Sequence, residues 1–321
     1  MEKYIEDWLT VIENMNNENT YKLAWGKSIV ELCFLMEDVE DEKMYDFSFE
    51  AITMNMFKYY WNQTYFFRLE QSPNPSKRAK MLQLTENAIK YYENKIGKTV
   101  PVWFDVAIKE IKKDKEYYIK LKKEFCSAAR SDVCYRFLKA NKKEYNLYSL
   151  NNEKTKISIH GKNILLIKEY AFVLSQLLNY KWAQLLEKFN SAPRINNKVE
   201  GSSKNEIRRN NLSKFKEELL KINNGKAIDF YTGQELLEED ISVDHVIPWS
   251  FMYSDDIWNL VITSKSNNSS KSNNVPSEEI ISNLKKRNKL ICEKLDNKYK
   301  SKMIEAINNN YVDKYYTNFR L

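Results

Sequence analysis

Glycine and proline are scarce in this chain, with six of each among 321 residues. Because these residues form tight turns and end helices, a chain with few of them favours long, uninterrupted helices. The length suggests two domains, and the aromatic residues (15 Phe, 21 Tyr and 7 Trp) are numerous enough for a large core. We therefore predict a mainly α-helical protein.

Apolar residues recur at helical spacing through most of the first 140 residues. Residues 47–69 carry a cluster of aromatic side chains, and at this spacing such rings more often form core than stack on bases. Further helices are predicted over residues 81–92, 103–125 and 169–189. Residues 155–166 differ because they alternate, which fits either a short hairpin or a strand followed by a helix.

The segment 191–205 contains Pro, Gly, Ser and Asn but few apolar residues. Such a composition is typical of a linker. We therefore predict a helical domain over residues 1–190, a linker over residues 191–205 and a second domain over residues 206–321, which begins with a basic helix over residues 206–223.

One of the two histidines of the chain lies in the segment Asp244-His245-Val246-Ile247-Pro248. Imidazole is the side chain whose unperturbed pKa lies closest to neutral pH, so His245 could take a proton from water. Asp244 adds a carboxylate and Asn268 an amide oxygen, and hard divalent cations prefer such oxygen ligands. These residues together predict metal-assisted hydrolysis of a phosphodiester bond.

The sequence around this pair predicts a compact unit of two strands and a helix. Its predicted elements are a turn at 229–233, a strand at 241–245, a loop at 248–259, a strand at 260–263 and a helix that opens within 267–272. This order would bring the Asp-His pair close to Asn268, although Asn268 lies 23 positions after His245.

This ordered set resembles the HNH, or ββα-metal, endonucleases. Asp244-His245, then Asn259, then Asn268 in front of Ser-x-Lys follow the family pattern. More narrowly, residues 243–248 and 271–279 are similar to the HNH domain of CRISPR type II effector nucleases. The resemblance covers about residues 226–290. It does not imply an RNA-guided enzyme, because the sequence shows neither a second, RNase H-like nuclease nor an arginine-rich helix.

The resemblance implies a role for each matching residue. His245 would be the general base that activates water, and Asp244 and Asn268 would bind one divalent metal, Mg²⁺ or Mn²⁺. Asn259 belongs to the catalytic set of the family, where it more often braces the loop between the strands than touches substrate. Lys271 would lie near the phosphate, and the product would carry a 5′-phosphate.

Many HNH domains are held together by a structural zinc ion that two CxxC pairs bind. The matching positions here are Asp229 and Thr232, then Ser264 and Asn267. None is a cysteine, and structural zinc requires thiolate or imidazole ligands. We therefore expect no structural zinc and a zinc-free domain that packing holds together. The candidate packing residues are Phe230, Tyr231, Trp249, Phe251 and Trp258.

Positive charge is concentrated near the C-terminus of a chain whose net charge is +7. Residues 283–302 contain eight Lys or Arg against two acidic residues. A basic surface suits a polyanion such as DNA, although a solvated helix face fits this composition equally well. The candidate DNA-binding residues are Lys271, Arg208, Arg209, Lys285, Lys286 and Arg287.

The N-terminal part is similar, at residues 19–23, 59–63 and 181–183, to a bacterial group of proteins that end in an HNH domain. This resemblance implies a role in restriction or antiviral defence, with a helical domain that recognises the target or a partner. We expect DNA as a partner, and either a second copy of the chain or a defence-system protein as another.

Two other functions remain open at this point. The chain could be a nucleic-acid-binding or assembly subunit that uses the HNH unit for binding, or a toxin-like nuclease that a partner activates. The first residues lack the apolar run of a signal peptide, and no stretch of the sequence approaches the length of a membrane span. We therefore expect a cytoplasmic protein without a membrane partner.

Overall fold

The computed structural model describes residues 2–73, 78–97, 99–190, 192–200, 211–271 and 273–320. These residues are mainly α-helical, as predicted, and they form two compact units. The first unit comprises residues up to 190 and 195–200, and the second comprises 192–194 and 211–320. Within the described ranges, no helix is both long and apolar enough to cross a membrane.

The first unit is a set of helices with a small antiparallel sheet. Its helices are α1 (Lys3–Asn14), α2 (Tyr21–Phe34), α3 (Phe49–Trp61), α4 (Lys80–Ile96), α5 (Phe104–Ile111), α6 (Lys115–Ser131), α7 (Val133–Arg136), α8 (Gly161–Glu169), α9 (Ala171–Glu187) and α10 (Ile195–Glu200). Its strands are β1 (Met44–Ser48), β2 (Lys139–Ala140), β3 (Lys143–Glu144), β4 (Ser149–Leu150) and β5 (Lys156–His160). The sheet has the strand order β1-β5-β4, and β2 pairs with β3.

Aromatic side chains fill the core of this unit. Tyr59, Tyr60 and Trp61 are at most 3% exposed, which confirms the prediction that the aromatic cluster of residues 47–69 is core. Helix α2 packs against α3, α8 and α9. At Gly26 a Cβ atom would lie 2.7 Å from the ring of Phe137, so only glycine allows this close approach.

The prediction of a single helix over residues 103–125 is wrong. Helix α5 ends at Ile111, and α6 begins at Lys115. The reason is Asp114, whose side chain accepts a hydrogen bond from the backbone N–H of Tyr117 at 2.9 Å and so caps a new helix. Residues 155–166 form strand β5 followed directly by α8, so the strand-then-helix interpretation is the correct one.

Part of the predicted linker is helical. Helix α10 packs against α9, and its Ile195 and Val199 are 4% and 2% exposed. Two apolar residues four positions apart lie on one helix face, which is enough to bury one side of a segment that is polar in composition. Residues 191 and 201–205 of the predicted linker lie outside the described residues.

The second unit contains the predicted arrangement of two strands and a helix. Its elements are α11 (Ser213–Ile222), β6 (Ile241–His245), α12 (Trp249–Met252), β7 (Leu260–Ser264), α13 (Lys265–Lys271), α14 (Glu278–Ile291), α15 (Asn297–Asn308) and α16 (Tyr311–Arg320). Strands β6 and β7 pair antiparallel, with Ile241 opposite Ser264 and His245 opposite Leu260. The loop predicted between them contains the short helix α12 and a 3₁₀ turn at Ile257–Asn259.

The helices after the ββα arrangement belong to the same core. The ring centroids of Phe251 and Phe319 in α16 are 5.2 Å apart. Trp258 stacks on Tyr315, with 6.0 Å between their ring centroids. Phe251 and Trp258 are 1% and 2% exposed, which agrees with the expectation that aromatic packing holds this unit. The C-terminal helices therefore pack against the loop that precedes β7.

Candidate active site

A cavity of about 250 Å³ lies at the end of strand β6. Three of the residues singled out from the sequence, Asp244, His245 and Asn268, line this cavity. Asp255, Trp249 and five further residues complete its wall; the five are Leu212, Val243, Pro248, Ser269 and Asn273. The structure therefore brings together the predicted base and both predicted metal ligands.

The local fold explains why these residues meet. Asp244 and His245 are the last two residues of β6, where they pair with Val261 and Leu260 of the neighbouring strand. Helix α13 begins directly after β7 and packs back on β6. Because Asn268 is the fourth residue of that helix, its side chain lies about one turn from the strand end.

The side-chain amide of Asn268 has a fixed orientation. Its Nδ2 donates hydrogen bonds to Ser242 Oγ at 2.7 Å and to the carbonyl oxygen of Val243 at 3.4 Å. Both bonds use the nitrogen, so the amide oxygen remains available to a cation. Ser242 and Val243 are residues of β6, and the same contacts tie α13 to the strand that carries Asp244 and His245.

The Asp244 carboxylate is held through one of its two oxygens. Tyr231 donates its hydroxyl hydrogen bond to Oδ2, and the Lys271 ammonium lies 3.1 Å from the same atom. Lys271 also donates to the carbonyl oxygen of His245 at 2.6 Å. Among the described residues both partners use Oδ2, which leaves Oδ1 as the oxygen available to a cation.

Burial perturbs both partners of Asp244. Burial raises the pKa of the Tyr231 hydroxyl far above its usual range, and the neighbouring Asp244 carboxylate raises it further. Burial lowers the pKa of the Lys271 ammonium, although Asp244 acts in the opposite direction. The neutral phenol therefore remains a hydrogen-bond donor to Asp244 at any physiological pH.

The donor set fits a magnesium-like ion that has few protein ligands. Asp244 and Asn268 each offer one hard oxygen to the same cavity. In the part of the chain that the structure describes, no three His, Cys, Asp or Glu side chains cluster as a metal site. Mg²⁺ commonly binds one or two protein oxygens and completes its octahedron with water and phosphate oxygens. Two side-chain ligands are therefore sufficient for a hard cation that shares the phosphate of a substrate.

His245 is paired with a carboxylate that sequence reasoning missed. Its Nε2 lies 2.9 Å from Asp255 Oδ1, and the two side chains are 9% and 8% exposed. Asp255 lies in the loop between the strands, next to Asp256. No pattern in the sequence distinguishes these two acids, because only the path of the loop decides which of them reaches the histidine.

Asn259 braces the loop between the strands through both polar groups of its side chain. Its Oδ1 accepts a hydrogen bond from the N–H of Ile247, and its Nδ2 donates to the carbonyl oxygen of Ile247, both at 2.8 Å. The side chain is 1% exposed, and it does not line the cavity. Both polar groups of the Asn259 side chain therefore bind the loop that follows His245.

A single carboxylate joins the four positions that match the zinc-binding cysteines of many HNH domains. Asp229 Oδ1 accepts hydrogen bonds from the backbone N–H groups of Tyr231 and Thr232, at 2.8 and 3.0 Å. Its Oδ2 accepts from three donors on the other side, which are Thr263 Oγ1 at 3.0 Å, Ser264 N at 2.8 Å and Asn267 Nδ2 at 2.9 Å. The four positions that match the missing cysteines therefore converge on the Asp229 carboxylate.

The hydrogen bonds of Asp229 hold the turn at 229–233 in a region where we predict aromatic packing. Asp229 is 1% exposed, whereas Phe230 and Tyr231 are only partly buried against the core. Burial by itself raises the pKa of the Asp229 carboxyl, but the donors from Ser264, Asn267 and the turn outweigh it and hold the pKa below its usual range. The turn, strand β7 and helix α13 are thus joined by a charged, fully hydrogen-bonded group.

The candidate DNA-binding residues have different surroundings. Lys285 and Lys286 are both exposed, and Lys285 forms an ion pair with Asp313 at 2.6 Å. The guanidinium of Arg287 is turned inward, where it donates to the carbonyl oxygens of Leu260 and Ile257, and burial lowers its pKa. Arg208 and Arg209 lie outside the described residues.

Comparison with known proteins agrees with this geometry. A family model described as HNH endonuclease matches residues 229–277. The CRISPR-associated endonuclease Cas9 of Listeria innocua serovar 6a is 39% identical over 93 residues, which are 28% of this chain and 6% of the relative. The Cas9 of Streptococcus mutans serotype c is 38% identical over 81 residues, which are 24% of this chain and 6% of the relative. No solved structure gives a significant match.

The match therefore concerns the ββα region, and most of this chain lies outside the residues that these comparisons cover. The chain covers only 6% of the length of each of these two curated relatives. The matched residues 229–277 contain Asp229, both strands, helix α13 and the cavity residues Asp244, His245 and Asn268. The C-terminal part of this protein contains an HNH endonuclease domain that is similar to the HNH domain of Cas9.

Proposed function

We propose that this protein is an endonuclease that hydrolyses phosphodiester bonds in DNA with one divalent metal, Mg²⁺ or Mn²⁺. The observation that carries the proposal is the convergence of Asp244, His245 and Asn268 in one cavity of an HNH domain. A buried histidine beside two fixed oxygen donors is the arrangement that metal-assisted hydrolysis requires.

In this proposal each side chain has one task. His245 accepts a proton from a water molecule while the water oxygen forms a bond to phosphorus and the bond from phosphorus to O3′ breaks. The products are a 5′-phosphate and a 3′-hydroxyl, whose proton comes from solvent. Asp244 and Asn268 would hold the metal through their free oxygens, and the metal would stabilise negative charge on the phosphate and on the leaving oxygen.

Lys271 is proposed to serve the same site through its charge. Its ammonium lies 3.1 Å from Asp244 Oδ2 and is 12% exposed at the side chain. At this position it fixes the metal-binding carboxylate, and it adds positive charge close to the place that a substrate phosphate would occupy. Asn259 is proposed to hold the loop through the backbone of Ile247, and Arg287 is proposed to hold β7 through the carbonyl oxygen of Leu260.

The biological role is proposed from the resemblance of the chain to bacterial HNH proteins and not from the geometry. On that basis we propose restriction or antiviral defence in the cytoplasm, with the helical first unit selecting the target or a partner. Among the described residues outside the cavity, Lys285 and Lys286 are candidate DNA contacts with exposed side chains. A double-strand cut needs two active sites or two visits, so a homodimer or a defence-system partner protein is proposed as well.

The proposed metal site gives the first prediction. Purified protein should convert supercoiled plasmid to nicked or linear DNA with Mg²⁺ or Mn²⁺ and should lose this activity when EDTA is added. Asp244→Ala and Asn268→Ala should each lower the cleavage rate at about 1 mM Mg²⁺ by at least 10-fold, because each removes one of two protein ligands. Higher Mg²⁺ should restore part of the activity of Asn268→Ala.

The matched control for these variants is Asp313→Ala, which removes an exposed carboxylate of the same domain. Its Mg²⁺ dependence should equal that of the wild type. Cleavage that persists in EDTA, or an Asp244→Ala variant with unchanged Mg²⁺ dependence, would contradict the proposed site. Wild-type protein that binds DNA in a salt-dependent manner but cuts neither DNA nor RNA would instead support a binding subunit.

A further inference from the structure

We infer that Asp255 is the positioning residue of His245: it fixes the tautomer of the imidazole so that Nδ1 is the nitrogen that accepts the proton. This inference rests on the proposed function, because it assigns a role to the partner of the proposed base. Asp255 lies outside the Asp-His, Asn, Asn pattern.

The geometry of the pair carries the inference. Asp255 Oδ1 lies 2.9 Å from His245 Nε2, which is a normal hydrogen-bond distance. Both side chains are more than 90% buried, and both line the same cavity. A carboxylate at such a distance accepts a hydrogen bond and has none to donate, so it selects the imidazole form that carries its proton on Nε2.

The other ring nitrogen is then free for chemistry. Among the residues that the structure describes, His245 Nδ1 has no hydrogen-bond partner, whereas the backbone carbonyl of His245 is held by Lys271. With the proton on Nε2, the lone pair on Nδ1 can accept a proton from water. The same carboxylate stabilises the imidazolium that forms, as the aspartate of a Ser-His-Asp triad does for its histidine.

The loop that carries Asp255 is held at both ends. Tyr253 lies in a left-handed backbone conformation (φ 51°) at the end of α12, and its ring packs on Trp249 at 4.7 Å. At the other end, Asn259 braces the backbone of Ile247. This fixed path places Asp255 against the ring of His245 and turns its neighbour Asp256 toward Ser254 and Lys302.

Nuclear magnetic resonance reports the tautomer of His245 directly, and the measurement does not require catalytic activity. The chain has two histidines, so ¹⁵N-labelled histidine gives two ring systems, which a His160→Ala variant assigns. In two-bond ¹H–¹⁵N spectra recorded at about pH 8, where an ordinary imidazole is neutral, the wild-type His245 ring should carry its proton on Nε2. Asp255→Ala should give a mixture of tautomers. A wild-type ring protonated on Nδ1, or an unchanged ring in Asp255→Ala, would overturn the inference.

Kinetics with the full chain separate positioning from packing. Asp255→Asn keeps the shape of the side chain but loses the charge, and we expect its kcat to fall by about 10- to 100-fold. Its KM for plasmid and its Mg²⁺ dependence should not change, because Asp255 is not proposed to touch DNA or metal. Asp255→Glu, which restores a carboxylate, should recover part of kcat. A kcat for Asp255→Asn equal to that of the wild type would overturn the positioning role.

Asp256→Asn is the matched control, because it changes the adjacent carboxylate, which does not line the cavity. It should leave kcat and the His245 spectrum as in the wild type, and thermal unfolding of every variant would show that the domain remains folded. If the wild type fails to cut any substrate, the proposed function fails, but the spectra still decide whether Asp255 sets the tautomer.

Discussion

Replacing Asp229 with alanine should destabilise the HNH domain by about 3–5 kcal/mol, the usual cost of breaking a buried charged network by removing one partner. The substitution removes a carboxylate that is 1% exposed. The five donors that meet on its two oxygens would then lose their acceptor. Each buried donor left without a partner costs about 1–3 kcal/mol, although some of these groups would reach water. The turn at 229–233, strand β7 and helix α13 would lose their common anchor.

Hydrogen exchange measured by mass spectrometry on the full chain tests this prediction. Peptides that cover β6 and β7 should lose most of their protection in Asp229→Ala, whereas peptides of the first unit should not change. The matched control is Asp313→Ala, which removes an exposed ion pair and should change stability by less than about 1 kcal/mol. Equal protection of β6 and β7 in both variants would show that Asp229 does not hold the domain.

The lowered pKa of Asp229 makes the stability of the HNH domain depend on pH. Its carboxyl has a lowered pKa in the folded protein, since the hydrogen bonds of the network outweigh burial. The unfolded chain therefore binds this proton more readily, and the stabilisation by Asp229 is present above the unfolded pKa of about 3.9. It should be lost as the pH falls through the lower folded value, and the Asp229→Ala variant should lack this component of acid sensitivity.

The two strands of the HNH domain could be predicted from the sequence. The alternation in Ile241–His245 and the apolar run in Leu260–Ser264 are local signals, and the structure has strands at both places. The convergence of Asp244, His245 and Asn268 followed from the order of the elements. The break before α6 also had a local signal, because Asp114 is a common N-cap residue, but the apolar periodicity across it suggested one helix.

The supporting contacts could not be predicted, because they join residues that are far apart in the sequence. The absence of cysteine at 229, 232, 264 and 267 predicts a domain without structural zinc but does not reveal that one carboxylate joins these positions. The basic run around Arg287 predicts a DNA contact but gives no sign that its guanidinium reaches backbone carbonyls about 30 residues away. The partner of His245 depended in the same way on the path of a loop.

Replacing His245 with alanine should abolish most of the cleavage activity. A positioned general base contributes about 10²- to 10⁴-fold to a rate. The other histidine of the chain, His160, belongs to β5 of the first unit and does not line the cavity. Asp244, Asn268 and Lys271 remain in the variant, so DNA binding and metal binding should persist. The loss should therefore appear in kcat and not in affinity for DNA.

His160→Ala is the matched control, because it removes the same side chain from the other unit. It should cut plasmid as fast as the wild type. Since the two variants differ only in which histidine is missing, a difference between them reports on the cavity at the end of β6 and not on the histidine content of the protein.

The rate of plasmid cleavage in Mg²⁺ by the wild type, His245→Ala and His160→Ala is the most direct test of the proposed nuclease. We predict that His245→Ala cleaves at least about 100-fold more slowly than the wild type, with unchanged DNA binding and a folded HNH domain, while His160→Ala is unaffected. Equal cleavage rates for His245→Ala and the wild type would contradict the assignment of this cavity as the active site.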